Sequence, residues 1–136
     1  MPNTYVKLLL QDFDDLVGLS LGTGISCDQL SASNQTIKVW QHLKFVSNAL
    51  AIKPSPDWHL YWGKQMAENF HGAITLAWLS APTLGEGLDA FLKFIPLRVP
   101  YHTFFGKSKD TEFHCGVEER LDLGDTRFAL IEVPLL

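Results

Sequence analysis

Three things are scarce in this chain: basic residues in excess, cysteines at framework spacing and long apolar runs. Each scarcity excludes a class of protein. Eleven Lys and Arg stand against fifteen Asp and Glu, a formal charge of −4. A nucleic-acid-binding module needs a basic face to displace counterions from phosphates, so this chain is not expected to hold DNA itself. The two cysteines, Cys27 and Cys115, belong to no CxxC or Cys/His cluster. A disulfide framework in so short a chain needs more of them, which makes a reducing cytoplasm the expected compartment. Only Leu8 to Leu10 precede the acidic Asp12, Asp14 and Asp15, too little for a signal peptide. No stretch approaches the roughly 18 apolar residues that span a bilayer, so no membrane is expected as a partner. Internal repeats and low-complexity segments are missing as well.

What is present is apolar and aromatic. Hydrophobic residues make up 46% of the 136 and aromatics 12%, against 19% charged. That is enough to offset chain entropy and bury one core, here roughly two-thirds of the unfolded surface. The first half reads as helical. Leu9, Phe13 and Leu16 recur at helical spacing, and the glycines from Gly18 to Gly24 loosen the pattern. Ile37, Trp40, Leu43, Val46 and Leu50 trace an apolar stripe that Lys53-Pro54-Ser55-Pro56 ends. Asp57 is a candidate N-cap for a helix carrying Leu60, Met66 and Phe70 and closing near Gly72. Ile74 to Leu79 is an apolar run that periodicity alone does not assign.

Pro82-Thr83-Leu84-Gly85-Glu86 has the capping-box pattern, and predicts a helix burying Leu84, Leu88, Phe91, Leu92 and Ile95. After Pro100 the segments Tyr101 to Phe105, Thr111 to Val117 and Arg127 to Val133 read as strands. Lys107-Ser108-Lys109-Asp110 and Gly124-Asp125 separate them as turns. Short turns favour an antiparallel β-meander, so the expected class is α+β, with N-terminal helices packed on a C-terminal meander.

No catalytic constellation is visible. The glycine-rich Gly18–Gly24 stretch lacks G-x-G-x-x-G spacing and a P-loop Lys, and it reads as a helix-terminating loop. Glu118 and Glu119 beside Arg120 read as a solvated strand end. His59 and His71, like His102 and His114, are twelve apart, which puts neither pair on one helix face. A hairpin turning near Ser108 would bring His102 close to His114, with Cys115 on the opposite face, so no metal site and no cofactor are expected. Four tryptophans remain: Trp40, Trp58, Trp62 and Trp78. Such residues mostly fill cores. The sharper reading is that Trp62 and Trp78, with Tyr101 and His102, line a pocket between helices and sheet, since ligand pockets are mostly apolar with a few orienting polar groups.

The segment His71-Gly72-Ala73-Ile74-Thr75-Leu76-Ala77-Trp78-Leu79-Ser80-Ala81-Pro82-Thr83-Leu84-Gly85-Glu86-Gly87-Leu88 resembles the core of the N-terminal, arabinose-binding-type domain of AraC-family transcriptional regulators. Ser80, Pro82 to Glu86 and Leu88 match best, followed by Phe91, Phe94 and Leu97. Gly87 stands where the family usually has alanine, and Phe94-Ile95-Pro96 replaces a stretch that usually carries tyrosine. The resemblance implies a non-enzymatic regulatory domain that senses an unknown small-molecule effector, forms a homodimer, or both. The family's name does not imply arabinose as that effector. The resemblance also implies that DNA is reached only through helix-turn-helix units, which residues 1–136 do not include. The chain is expected to be a single domain shortened at its C-terminus. Capping chemistry accounts for Pro82 to Glu86 as a structural motif. Two rival readings are a protein-interaction domain without a small ligand, and an enzyme using His102 or His114.

Overall fold

The computed structural model describes residues 1–31, 35–53, 57–68, 73–109 and 111–132. In chain order they form α1 (Thr4–Asp12), α2 (Leu16–Ser20), α3 (Cys27–Ser31), α4 (Val39–Ile52), α5 (Trp58–Glu68), α6 (Ala73–Leu79) and α7 (Leu84–Phe94). A 3-10 turn (Ile95–Leu97), the strands β1 (His102–Lys109) and β2 (Glu112–Glu119), a second 3-10 turn (Gly124–Thr126) and α8 (Arg127–Glu132) follow. Helices and one antiparallel sheet make the chain α+β. It divides into two compact units, Met1–Glu68 with Leu123–Leu136, and Asn69–Asp122.

In the first unit, local capping chemistry punctuates the helices. The expected stripe through Leu9, Phe13 and Leu16 is broken: Phe13 leaves α1 in an extended conformation and is itself buried. The cause is Asp15, whose carboxylate accepts from the Gly18 amide at 2.8 Å and starts a new helix. α2 runs into a turn at Gly22 and Gly24, both in the left-handed region that favours glycine, so the glycine-rich stretch does end a helix. Asn48 of α4 donates to the carbonyls of Leu19 (2.9 Å) and Leu21 (2.8 Å), closing the end of α2. α4 ends at Ile52 ahead of Lys53, as the proline-rich segment predicts. Its buried face is His42, Phe45, Val46 and Ala49, an i, i+3, i+4, i+7 set; of the expected stripe Ile37 and Val46 are buried, and Leu43 and Leu50 are half-buried. Trp40 is left exposed. The polar His42 and Asn48 disguise this face in the sequence.

α5 begins as expected after Asp57, whose carbonyl accepts from the amides of Leu60 (3.2 Å) and Tyr61 (3.3 Å). Phe70, His71 and Gly72 lie outside the described residues. The segment expected as a third strand, Arg127 to Val133, is instead helical over Arg127–Glu132. Thr126, Ala129 and Leu130 are buried while Phe128 is exposed, which is a helical period and not a two-residue one. The Thr126 hydroxyl donates to the Leu123 carbonyl at 2.6 Å and tightens the turn that starts it. The sheet is therefore a two-stranded hairpin, not a three-stranded meander.

In the second unit the ambiguous run Ile74 to Leu79 is helical. The Thr83 hydroxyl accepts from the Glu86 amide at 3.2 Å, so the structure shows the Thr83 half of the expected capping box. Leu84, expected in the core, is exposed, whereas Ile95 is buried and Leu88, Phe91 and Leu92 are half-buried. A residue in the first turn of a capped helix lies beside the cap, and here that side faces solvent.

Candidate functional site

The hairpin sets the geometry of the second unit. β1 and β2 pair antiparallel from His102 opposite Glu119 to Lys109 opposite Glu112. Side chains alternate, so His102, Phe104, Gly106, Cys115, Val117 and Glu119 share one face of the sheet. α7 covers part of that face. Gly106 sits so close beneath Leu92 of α7 and Phe113 that a side chain there would collide with both. Above the hairpin an unbroken file of edge-to-face rings links three elements. Trp78 of α6 meets Phe91 of α7 at 5.3 Å between centroids, and Phe91 meets Phe104 at 6.3 Å. Phe104 meets His102 at 5.8 Å, and His102 meets Tyr101 at 4.9 Å. Such T-shaped contacts set a ring's positive edge against a neighbour's negative face.

His102, between Phe104 and Tyr101 in this file, is fully buried, and neither ring nitrogen meets a hydrogen-bond partner among the described residues. Leaving such a group unsatisfied costs about 1–3 kcal/mol. Burial pushes its pKa below the ordinary histidine value, and the Glu119 carboxylate opposite pushes back with a smaller opposing effect. A neutral imidazole offers one donor and one acceptor, so this is a single two-sided polar group in an aromatic wall.

The first unit holds a second aromatic cluster, in which Trp62 is central. Trp62 is fully buried, lies 5.8 Å from Trp58 and 6.1 Å from His42, and donates its indole N–H to the Tyr5 carbonyl at 3.3 Å. Phe13 meets Trp58 edge-on at 5.7 Å, and the Lys53 ammonium stands 4.6 Å above the Phe13 ring. His42 is fully buried, and its pKa is lowered to about 3, first by burial and then by the amino-terminal charge.

Of the four residues expected to line a pocket, Trp78, Tyr101 and His102 share one file in the second unit, and Trp62 belongs to the first unit. Phe91 and Phe104 complete the file and Glu119 stands opposite His102; the sequence reading put Phe91 in a helix core and Glu119 at a solvated strand end, and named none of the three for the pocket. The register hides them. The turn was expected near Ser108, but β1 runs on to Lys109, so His102 faces Glu119 and His114 faces Lys107 on the opposite side of the sheet. His114 instead stands 3.1 Å from Glu112 in an exposed pair. No group of three or more His, Cys, Asp or Glu among the described residues could hold a metal ion.

Among the described residues no helix is long and apolar enough to cross a membrane. Residues 17–133 match the model of the family described as the N-terminal arabinose-binding domain of AraC transcription regulators, and the chain belongs to that family. The family is one of regulatory domains and not of enzymes. No curated protein and no solved structure matches the chain.

Proposed function

We propose that this chain is the effector-sensing and self-associating part of an AraC-type regulator acting in the cytoplasm, with DNA contacted by helix-turn-helix units outside these residues. Membership of the family supports the regulatory role. The net charge of −4 suits a part that leaves DNA contact to another. The observation that carries the effector site is His102, sealed in an aromatic file with both ring nitrogens unpartnered. A small molecule that stacks against Trp78, Phe104 or Tyr101 and hydrogen-bonds the imidazole would satisfy a group that otherwise costs stability. Trp62, with its indole already bonded, enters this reading only as core of the first unit.

Thermal-shift screening of small uncharged or weakly charged ring compounds tests it. A binder at a hundredfold its Kd adds about 2.7 kcal/mol to folding, several degrees in melting temperature. His102→Phe should abolish that shift while the far-ultraviolet dichroism of the folded chain is kept. A binder whose affinity survives His102→Phe would move the effector site elsewhere. The absence of any binder would favour the pure interaction domain.

A further inference from the structure

The hairpin carries a feature that effector binding does not use. Among the described residues β2 has one strand partner, β1. Tyr101 and His102, where β1 begins, are buried, and α7 packs over β1. β2 by contrast is exposed at Glu112, Phe113, His114, Cys115 and Glu118. An eight-residue strand with an unpaired edge is a template for another strand.

The hydrogen-bond register decides which residues that edge offers. The Arg120 amide donates to the Tyr101 carbonyl at 2.9 Å, which makes these two a hydrogen-bonded pair. Alternation along an antiparallel ladder then turns the amides and carbonyls of Glu112, His114, Gly116 and Glu118 toward β1. Those of Phe113, Cys115, Val117 and Glu119 face outward.

We infer that the outer edge of β2 is the seam of a homodimer, in which β2 pairs antiparallel with β2 of a second copy about a twofold axis at Gly116. Outward groups must meet outward groups, which restricts the axis to a residue and not a gap between two. Charge selects among the residues. With the axis at Gly116, Glu112 faces the partner's Arg120 and His114 faces the partner's Glu118, and symmetry repeats both pairs. Moving the axis to Cys115 sets Glu112 against the partner's Glu118. Moving it to Val117 sets His114 against the partner's Arg120. Both alternatives oppose or waste charge.

Glycine on the axis has a steric use as well. The Phe105 ring already lies over Gly116, where a side chain would collide with it, and Phe105 is 52% exposed. Two side-chain-free glycines facing across the axis leave room for Phe105 and the partner's Phe105 to cover the seam and each other. The result is a continuous four-stranded sheet in place of a two-stranded one, which alone is only marginally stable.

This proposal rests on the self-association proposed above, and the experiment separates the two. In a Cys27→Ser background, the mass in solution is measured by light scattering from micromolar to hundreds of micromolar, and Cys115 is treated with a short bis-maleimide. The two Cys115 side chains become diagonal neighbours in this register, about 7–8 Å apart, and should be linked in high yield. Glu112→Arg should raise the dimer dissociation constant about tenfold, because two exposed pairs are reversed at once, and adding Arg120→Glu should restore it to within about twofold. These exposed substitutions leave the fold intact, as circular dichroism should confirm. A dimer that neither links at Cys115 nor is rescued by the double reversal overturns the β2 seam and leaves self-association standing. A monomer at every concentration overturns both.

Discussion

His42 and His102 are equally sealed from solvent and both have aromatic neighbours, yet the two units treat them differently. Each loses basicity first to burial. The second influence has opposite sign: the amino-terminal charge drives His42 further down, whereas Glu119 pulls His102 back. His42 lies on the buried face of a 14-residue helix, 6.1 Å from Trp62 and 6.5 Å from Tyr5. His102 stands at the start of a two-stranded hairpin with unpartnered nitrogens. Both units leave large apolar side chains exposed, among them Val17, Leu21, Trp40, Tyr61 and Phe128 in the first and Leu76, Leu79, Leu84, Leu97 and Phe105 in the second. Desolvation alone therefore does not mark a functional histidine. What distinguishes His102 is that neither of its ring nitrogens meets a partner among the described residues, at the start of a hairpin whose second strand is exposed.

The strongest way to break this contrast is to remove one tryptophan from each unit. Trp62→Ala should cost about 3–5 kcal/mol, because it empties a fully buried site. Trp78→Ala, at a half-buried position, should cost about half as much. Urea unfolding midpoints at constant slope measure both. Equal losses would show that the second unit is as tightly built as the first.

Acid probes the histidines next. Since His42 titrates near 3 when folded and near 6.5 when unfolded, the unfolded chain takes up a proton in that interval that the folded chain refuses. The stability it protects is complete above about pH 6.5 and drains as pH falls toward 3, on the order of 1 kcal/mol per pH unit. Subtracting the unfolding profile of His42→Phe from that of the native chain between pH 6 and 4 should expose this slope. The same subtraction for His102→Phe should give the same sign and a shallower slope, because Glu119 offsets part of the burial. A flat difference for His42 would mean that its site admits a proton, and the two histidines would no longer differ.

How far the sequence speaks follows from the range of the forces involved. Helix ends were legible because their chemistry is local: the Pro-rich stop after Lys53, the Thr83 cap and the glycine turn all lie where their residues predict. The buried face of α4 was not, because His42 and Asn48 look polar until α2 and the aromatic cluster bring them partners. The Arg127 segment misled because six residues of mixed apolar character fit either period. In the candidate site, Trp78, Tyr101 and His102 could be singled out by type. Which of them meet, and that Phe91 and Phe104 stand between them, depends on a strand register set by a turn lying beyond the expected one.

Gly87→Ala should have the smallest effect and sharpens the same comparison. It lies inside α7, where alanine is favoured over glycine by about 1 kcal/mol. Opposing this, a Cβ at Gly87 would stand 3.3 Å from the Trp78 carbonyl oxygen and 3.5 Å from the Ala81 Cβ. That carbonyl accepts from the Ala81 amide at 3.2 Å, in a turn whose Ser80, Pro82 and Thr83 are exposed. An exposed turn can give by the few tenths of an ångström required, so the helical gain should win by about 0.5 kcal/mol. The shift would be carried by Trp78 and felt at its contact with Phe91. Effector affinity should accordingly fall slightly while stability rises. A loss of more than about 1 kcal/mol would mean that α6 and α7 cannot separate at all. The second unit would then owe its exposed leucines to the shape of its surface and not to a looser core.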